Sequence, residues 1–205
     1  MRWHSPVPYR LIPTDDSESF RASFAEWATG LPVFPHKGAF AVPRKFHVHE
    51  GVDIYVPEGT RVSAVERGRI VAISPFTGLH ALTPWWEETW VVMVEGPRGV
   101  VAYGEIVPLS ELSVGDLLAA QDTVGHVKRV LRVDRGRPMS MLHLELHVHG
   151  TTRCEDWKRD DPPPPSLRDP TPHLLNAHPH LPTPEAMDPE QAWGNQTSPY
   201  IFIVS

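Results

Sequence analysis

Residues 141–150 read MLHLELHVHG, and this stretch alternates strictly between two kinds of side chain. The aliphatic set is Leu142, Leu144, Leu146 and Val148, and the other set is Met141, His143, Glu145, His147 and His149. Because successive side chains of a β-strand point to opposite faces, the pattern predicts a strand with one aliphatic core face. The opposite face carries three histidines and a glutamate, which are side chains that can bind metals.

Around this strand, residues 38–150 consist of short apolar segments separated by Gly, Pro and Asp. The predicted strands are Asp53–Val56, Arg61–Ser74, Trp90–Glu95, Val100–Ile106, Leu117–Ala119, Thr123–Val130 and Met141–His149. Turn signals separate them, among them Gly96-Pro97-Arg98-Gly99. Since no helical pattern is interleaved, the order predicts an antiparallel all-β domain over residues 38–150.

The N-terminal extension, residues 1–37, has a different composition. Three prolines predict irregular structure over residues 1–14. A short helix is predicted over Asp15–Trp27, because Phe20, Phe24 and Trp27 recur at helical spacing, and Thr29-Gly30-Leu31-Pro32 is expected to end it.

Residues 151–205 are rich in proline, which fixes φ and removes a backbone donor. They predict an irregular tail that wraps the β domain, with a ligand for proline-recognition modules as the alternative. The expected anchors of the wrap are Leu167, Leu174, Leu175 and the final run Tyr200–Val204.

Composition narrows the classes of partner and compartment. The net charge is −6 and no basic run occurs, so we expect no nucleic-acid partner. No apolar run approaches the length of a membrane span or a signal peptide, which predicts no membrane partner and a cytoplasmic location. Cys154 is the single cysteine, so an intrachain disulfide is excluded. Nothing in the sequence determines the oligomeric state.

Metal-ligand side chains are concentrated in two segments. His49 and Asp53 can share a strand face, with Gly51 between them leaving room, and His143 can join them from another strand. Two imidazoles and one carboxylate with open positions suit catalytic Zn²⁺ and equally suit non-haem Fe(II). The alternative is that these histidines simply line a solvated strand face.

The segment His49-Glu50-Gly51-Val52-Asp53-Ile54, continued by Val56-Pro57-Glu58-Gly59-Thr60 and Val62-Ser63-Ala64-Val65, carries a family resemblance. It resembles the signature H-x-G-I/V-D-I/L, P-x-G-T-x-V-x-A of the lysostaphin-like (LytM-type) zinc metallopeptidases. Tyr103-Gly104-Glu105-Ile106 stands where that family has Y-x-H-L, and Leu142-His143-Leu144-Glu145 stands where it has H-L-H-F-E. The resemblance covers residues 44–150 and implies an antiparallel, β-sandwich-like fold.

The resemblance also implies roles for individual residues. Zinc would be held by His49, Asp53 and His143, all present, whereas the two histidines that assist catalysis in the family are replaced by Glu105 and Met141. Glu105 can act as a general base beside an activated water, or close the site as a fourth ligand, or simply be an exposed strand-end residue. The thioether of Met141 cannot carry a proton.

Further residues are candidates for supporting or substrate-binding positions. Glu145 is expected to orient His143 or to pair with Arg137 or Lys128. His47, His147 and His149 are expected at the rim, with His47 the best candidate for a supporting role, and Tyr103 is expected near the site through its motif. The Trp85-Trp86 pair either walls a binding groove or seals the domain against the tail, and Arg137 either binds a substrate anion or is a solvated turn residue.

Three functional hypotheses remain open from the sequence. The first is a zinc-dependent hydrolase of peptidase type acting on a peptide or other small substrate. The second is an inactive binding or regulatory module that kept its metal for structure, which the missing helper histidines and the missing export signal favour. The third is a metal enzyme of another class, with Fe(II) or Cu bound near Met141 and Glu105.

Overall fold

The computed structural model describes residues 2–16, 22–23, 28–134 and 138–179. The strands are β1 Arg10–Thr14, β2 Ala22–Ser23, β3 Ala28–Pro32, β4 Val52–Ile54, β5 Arg61–Ser63, β6 Gly68–Thr77, β7 Thr89–Gly96, β8 Gly99–Pro108, β9 Leu117–Leu118, β10 Thr123–Val127, β11 Leu142–His147 and β12 Leu167–Arg168. The described helices are one turn of 3-10 helix, Leu79–Ala81, and the short α1, Thr171–Leu175.

The main sheet is antiparallel throughout, as the sequence predicts. Its strands run in the order β12-β11-β8-β7-β6-β9, with β4 beside β11 and with β10 joining β8 to β5. The long strands β6, β7 and β8 form a meander, and Pro97-Arg98 closes the β7–β8 hairpin at the predicted turn. The all-β fold class is therefore confirmed.

The aliphatic face of β11 lies in the main hydrophobic core, as predicted. Leu142, Leu144 and Leu146 are buried there with Ile54 of β4 and Tyr103 of β8. Burying a leucine side chain stabilises the fold by about 1.5–3 kcal/mol, so a one-residue slip of β11, which would turn these leucines to the opposite face, is strongly disfavoured.

The N-terminal extension differs from its prediction. Residues 10–14 are not irregular but form β1, which pairs in parallel with β3. Residues 28–32 form β3 rather than a helix end, and the described pair Ala22–Ser23 is a strand beside it. The remainder of the helix predicted over Asp15–Trp27 lies mostly outside the described residues. Phe20, Phe24 and Trp27, whose spacing predicts the helix, are among the residues not described, so the helix is contradicted only at Ala22–Ser23.

The tail packs on the β domain as far as residue 179. Leu167 is buried beside β11 through β12, and Leu174 lies in the main core, whereas the expected anchor Leu175 is largely exposed. The N–H of His178 donates to the carbonyl of Trp3, at 2.8 Å. Wrapping by residues 180–205, including Tyr200–Val204, lies outside the described residues and stays a prediction, as do the domain boundaries.

Among the described residues, no helix is long and apolar enough to cross a bilayer.

Candidate metal centre

The pairing of β4 with β11 brings the predicted ligands together. Asp53 lies directly opposite His143 in this antiparallel pair, so both side chains leave the sheet on the same face. His49 precedes β4 in a loop whose backbone is held to residues 39–42 by two hydrogen bonds, from Ala41 N–H to the His49 carbonyl and from His49 N–H to the Val42 carbonyl. The three residues form one group whose ligand atoms all lie within 4.8 Å of one another.

Distances inside this trio match a small cation site. Asp53 Oδ1 lies 3.0 Å from His49 Nε2 and 2.9 Å from His143 Nδ1, and the two nitrogens are 3.3 Å apart. Tetrahedral zinc with bonds of about 2.0–2.1 Å places its ligand atoms about 3.3 Å from one another. The trio therefore has the spacing of three ligands around one ion.

Hydrogen bonds on the far side of each imidazole fix which nitrogen carries the proton. Nδ1 of His49 lies 2.8 Å from the carbonyl oxygen of Ala39, which can only accept, so this nitrogen donates. Nε2 of His143 lies 3.0 Å from a carboxylate oxygen of Glu145 and donates to it. In neutral imidazoles the lone pairs of His49 Nε2 and His143 Nδ1 then converge on the Asp53 carboxylate. Three convergent acceptors repel one another unless a cation or an extra proton lies between them, so the residues present fit a metal ion.

Two glycines create the space for this arrangement. A Cβ at Gly51 would lie 2.5 Å from the carbonyl oxygen of Leu144 and 2.9 Å from His143 Nε2, so the prediction that Gly51 leaves room is confirmed. A Cβ at Gly104 would lie 2.7 Å from the ring of Phe76. That ring packs against the imidazole of His143, with ring centroids 5.4 Å apart, and so restricts its movement.

Arg44 adds a positive charge that the sequence did not reveal. Its Nη2 lies 2.6 Å from Asp53 Oδ2, which leaves Oδ1 facing the histidines. Burial favours a protonated Asp53, but the charges of His49 and Arg44 outweigh it and hold the pKa of this carboxyl well below its ordinary value. Asp53 is therefore a carboxylate ready to bind a cation.

The two histidines respond oppositely to their surroundings. Burial lowers the pKa of His49, and the nearby charge of Asp53 does not fully offset it. Burial also disfavours the charged form of His143, but its hydrogen bonds to Asp53 and Glu145 raise its pKa well above the ordinary value. Without a metal, His143 thus supplies the proton that the convergent acceptors require.

Glu105 lies at a β-bulge next to the site. Trp90 of β7 pairs with Ile106 of β8, and Val92 pairs with Tyr103. Gly104 and Glu105 therefore both lie opposite the single residue Val91, which defines a β-bulge. Glu105 has φ 63°, a left-handed conformation that is costly for a residue with a side chain. Its side chain is 9% exposed rather than an open strand end, and its charge acts on Arg44, which also pairs with Asp53. Glu105 does not belong to the group of atoms that converge on the ligand position.

Glu145 is buried and bridges two histidines. Oε1 accepts from His143, and Oε2 lies 2.6 Å from Nε2 of His147. The prediction that Glu145 supports His143 agrees with this contact, and the described residues show no pairing of Glu145 with Lys128. His147 was predicted at the rim and is instead fully buried, because the segment after β11 folds back over this face. His149 is exposed and lies 3.4 Å from Glu95.

The other predicted site residues lie in different environments. Tyr103 pairs with Leu144 on the core face, and its hydroxyl accepts from Val65 N–H at 2.8 Å, so the expectation that it lies at the site is wrong. Met141 is half-buried and lies two residues before His143, at the start of the same strand face. His47 is half-buried, with its backbone bridged to Lys158. Arg137 lies outside the described residues.

The tryptophan pair belongs to the loop between β6 and β7. This loop begins directly after Phe76 and Thr77, so it starts at the edge of the metal centre. Trp85 is 60% exposed and packs edge-on against Trp86, with ring centroids 6.2 Å apart. The backbone of Trp86 bridges Leu131 rather than the described part of the tail.

Sequence reasoning missed Arg44 and Cys154. No spacing rule links an arginine to a carboxylate nine positions later across a loop. Cys154 entered only as evidence against a disulfide, yet its sulfur lies within 4.8 Å of ligand atoms on Glu145 and His147. Its proximity to β11 depends on how the following segment folds back.

No family model and no curated protein matches the chain. Solved structures do match, among them the catalytic domain of the antimicrobial peptidase lysostaphin from Staphylococcus simulans, with 19% identity and a TM-score of 0.46 over 67% of this chain and 89% of that chain. Cbpa from L. salivarius REN is similar with 16% identity and a TM-score of 0.48, over 85% of this chain and 95% of that one. A variant of the catalytic domain of the prophage-encoded M23 protein EnpA from Enterococcus faecalis shares 20% identity, with a TM-score of 0.38 over 60% and 96%. Lysostaphin belongs to the family whose motifs residues 49–65 resemble.

Proposed function

We propose that the chain is a zinc-dependent hydrolase of peptidase type. The observation that carries the proposal is the convergence of His49 Nε2, Asp53 Oδ1 and His143 Nδ1, with two ring nitrogens already committed to other acceptors. Three protein ligands leave a further position for water or substrate, as in catalytic zinc sites. When bound, zinc supplies Lewis-acid polarisation of the scissile carbonyl and lowers the pKa of water.

The protein's own groups prepare this chemistry. Arg44 binds Oδ2 of Asp53, so only Oδ1 faces the histidines. Phe76 and Glu145 hold the ring of His143 from two sides, which restricts its rotation. Preorganised ligands of this kind need little rearrangement on binding the metal.

We assign the proton transfer to Glu105. It occupies the position where the resembling family has a helper histidine, and the bulge at Gly104–Glu105 redirects its side chain near Arg44. A carboxylate can accept a proton from the attacking water and return one to the leaving amine. Arg44 interacts electrostatically with Glu105 and also pairs with the ligand Asp53, so it links the proposed base to the metal centre.

We place the substrate next to the loop that follows Phe76. Trp85 offers an exposed ring that can contact a peptide at small entropic cost. Peptide is therefore the proposed substrate class.

The metal is the first quantity to measure. Protein purified without added metal or chelator is expected to hold zinc, and His143→Ala is expected to lose the ion at this centre. His149→Ala is the matched control, since that side chain is exposed at the end of the same strand. Iron in place of zinc would favour the third hypothesis, and metal content unchanged in His143→Ala would contradict the proposed site.

Catalysis is tested separately with Glu105→Gln. Hydrolysis of a quenched-fluorescent peptide library is expected to fall by about 10²–10⁴-fold with zinc retained, the usual contribution of a positioned acid–base group. Glu111→Gln, at an exposed glutamate, is the control. Undiminished turnover in Glu105→Gln would refute its role as base.

The second candidate function is a metal-stabilised binding module without activity. It is favoured by Met141, which stands at a position where the resembling family has a proton carrier. Zinc content at this centre, together with no turnover across the peptide library, would support this candidate over a hydrolase.

A further inference from the structure

Beyond His143, the polar face of β11 carries a second set of metal-binding side chains. Glu145 and His147 follow at two-residue spacing, and Cys154 reaches them from the segment after the strand. One ligand atom from each lies within 4.8 Å of the other two. None of these residues is a ligand of the first centre, so they form a separate group.

The protein encloses this group. Val148 N–H donates to the carbonyl of Ser166 at 2.7 Å, and Leu167 then pairs with His147, so residues 150–166 return over the polar face. His147 has no exposed surface. Cys154 packs beside the small apolar cluster formed by Val91, Met93, Val100 and Ala102. A strand face with this many polar groups is stable inside a fold only when each of them is paired.

Polar contacts hold both ring nitrogens of His147. The hydroxyl of Ser166 donates to Glu155 Oε2 at 3.0 Å, because a carboxylate only accepts. Nδ1 of His147 lies 3.4 Å from the same hydroxyl oxygen, and Nε2 lies 2.6 Å from Glu145 Oε2. In metal-free protein the Nε2–H donates to this carboxylate. A metal ion bound between Nε2 and Oε2 would take the place of that proton, and the ring's proton would then lie on Nδ1, facing Ser166.

Charge and ligand type indicate which cation fits. Cys154 bound as a thiolate and Glu145 as a carboxylate together neutralise one divalent ion in this buried position, and His147 adds a neutral nitrogen. Sulfur and imidazole ligands exclude the hard ions Mg²⁺ and Ca²⁺ and suit zinc and its neighbours in the first transition row. Without a metal the thiol keeps its proton, because burial and the charge of Glu145 raise the pKa of Cys154.

We propose that Glu145 Oε2, His147 Nε2 and Cys154 Sγ bind a second divalent transition-metal ion, with zinc as the best match. Glu145 connects the two centres, because its Oε1 accepts from the ligand His143 while its Oε2 faces the new position. Ser166 and Glu155 support the outer nitrogen of His147, as outer hydrogen bonds do for histidine ligands generally.

Cobalt substitution separates the two centres spectroscopically. The full chain is stripped with a chelator and titrated with Co²⁺, and bound metal is measured together with absorption. Two equivalents are expected, with a near-ultraviolet thiolate-to-cobalt charge-transfer band. Only the proposed second site can supply a thiolate, since Cys154 is the single cysteine of the chain.

Variants then assign each ion. Cys154→Ser and His147→Ala are each expected to reduce binding from two equivalents to one and to abolish the band, whereas the control His149→Ala leaves both unchanged. Asp53→Ala is expected to remove the other ion and to keep the band. Absence of the band in the natural chain, or two equivalents in Cys154→Ser, would overturn the second site. One equivalent with a band that Asp53→Ala leaves unchanged would instead overturn the first site and, with it, the proposed hydrolase.

Thiol reactivity tests the same site without any substitution. Zinc-loaded chain is expected to react with a thiol reagent at least tenfold more slowly than metal-free chain, because the sulfur is a ligand. Equal rates with and without zinc would contradict the proposal even if the variants failed to fold.

Discussion

An alanine at position 51 is expected to push the ligand loop away from β11 and to weaken zinc binding at the first centre. The added Cβ would lie 2.5 Å from the carbonyl oxygen of Leu144, where ordinary contacts begin at 3.4 Å. The loop carrying His49 or the strand carrying His143 must therefore move by about 0.9 Å, the difference between these two distances. Rotation of a side chain cannot relieve this clash, because the nearest atom is the backbone oxygen of Leu144.

Such a movement exceeds what a metal site tolerates. Ligand distances are held to about ±0.2 Å in working sites, so a shift of this size should reduce zinc affinity by tenfold or more. Overpacking of a tight contact also costs about 1–3 kcal/mol of stability. Zinc affinity is measured by competition with a chromogenic chelator, and the free energy of unfolding is measured on metal-free protein by denaturant titration.

Gly68→Ala provides the matched control. Its Cβ would lie 2.6 Å from the carbonyl oxygen of Glu95, a clash of the same kind at the β6–β7 pairing, away from the ligands. Both variants are expected to lose stability, but only Gly51→Ala should lose zinc affinity. If Gly51→Ala binds zinc within twofold of the natural chain, the argument that Gly51 sets the ligand spacing is refuted.

Other predictions concern the charges and the buried hydroxyl around the centre. Asp53→Asn removes a carboxylate whose pKa lies well below its ordinary value of 3.8, so the carboxylate stabilises the fold above that pH and this stabilisation is lost as the pH falls. The difference in the free energy of unfolding between the natural and the variant metal-free chain should therefore shrink below pH 3.8. A difference that stays constant with pH would contradict this prediction. Arg44→Met should destabilise metal-free protein by about 1–2 kcal/mol, less than a fully buried pair because Arg44 is a third exposed, and unchanged denaturant midpoints would argue against the pair. Tyr103→Phe should cost about 1–3 kcal/mol by leaving the Val65 N–H unpaired, with zinc affinity unchanged, and loss of zinc would show that Tyr103 supports the site after all.

Local patterns predicted the β domain well because side-chain periodicity is a property of short segments. The alternation over residues 141–150 identified β11 and its leucine face, and the turn signal at residues 96–99 located the β7–β8 hairpin, although the predicted strand Arg61–Ser74 is two strands, β5 and β6. The prediction of irregular structure was wrong for residues 10–14, because a local pattern does not show which distant segment a strand pairs with. Paired residues of β1 and β3 are 18 positions apart in the sequence, and spacing within one segment carries no information about such pairing.

The ligand trio was partly predictable. His49, Gly51 and Asp53 lie within five residues, so their relation is local, and the resemblance to a known signature added His143. Their geometry is a tertiary fact, because it depends on the register that places His143 opposite Asp53. Arg44 was beyond prediction, since the loop that brings it to Asp53 has no repeating pattern.

The sequence by itself determined which side chains of β11 share a face, because that follows from the two-residue period of a strand. It did not determine what covers that face. His147 appeared to be a rim residue, and Cys154 only a missing disulfide partner. Tertiary structure decided both, because residues 150–166 fold back and bury the polar face together with Cys154. This fold-back brings Cys154 within 4.8 Å of ligand atoms on Glu145 and His147, and that proximity gives an alternating strand two candidate metal centres.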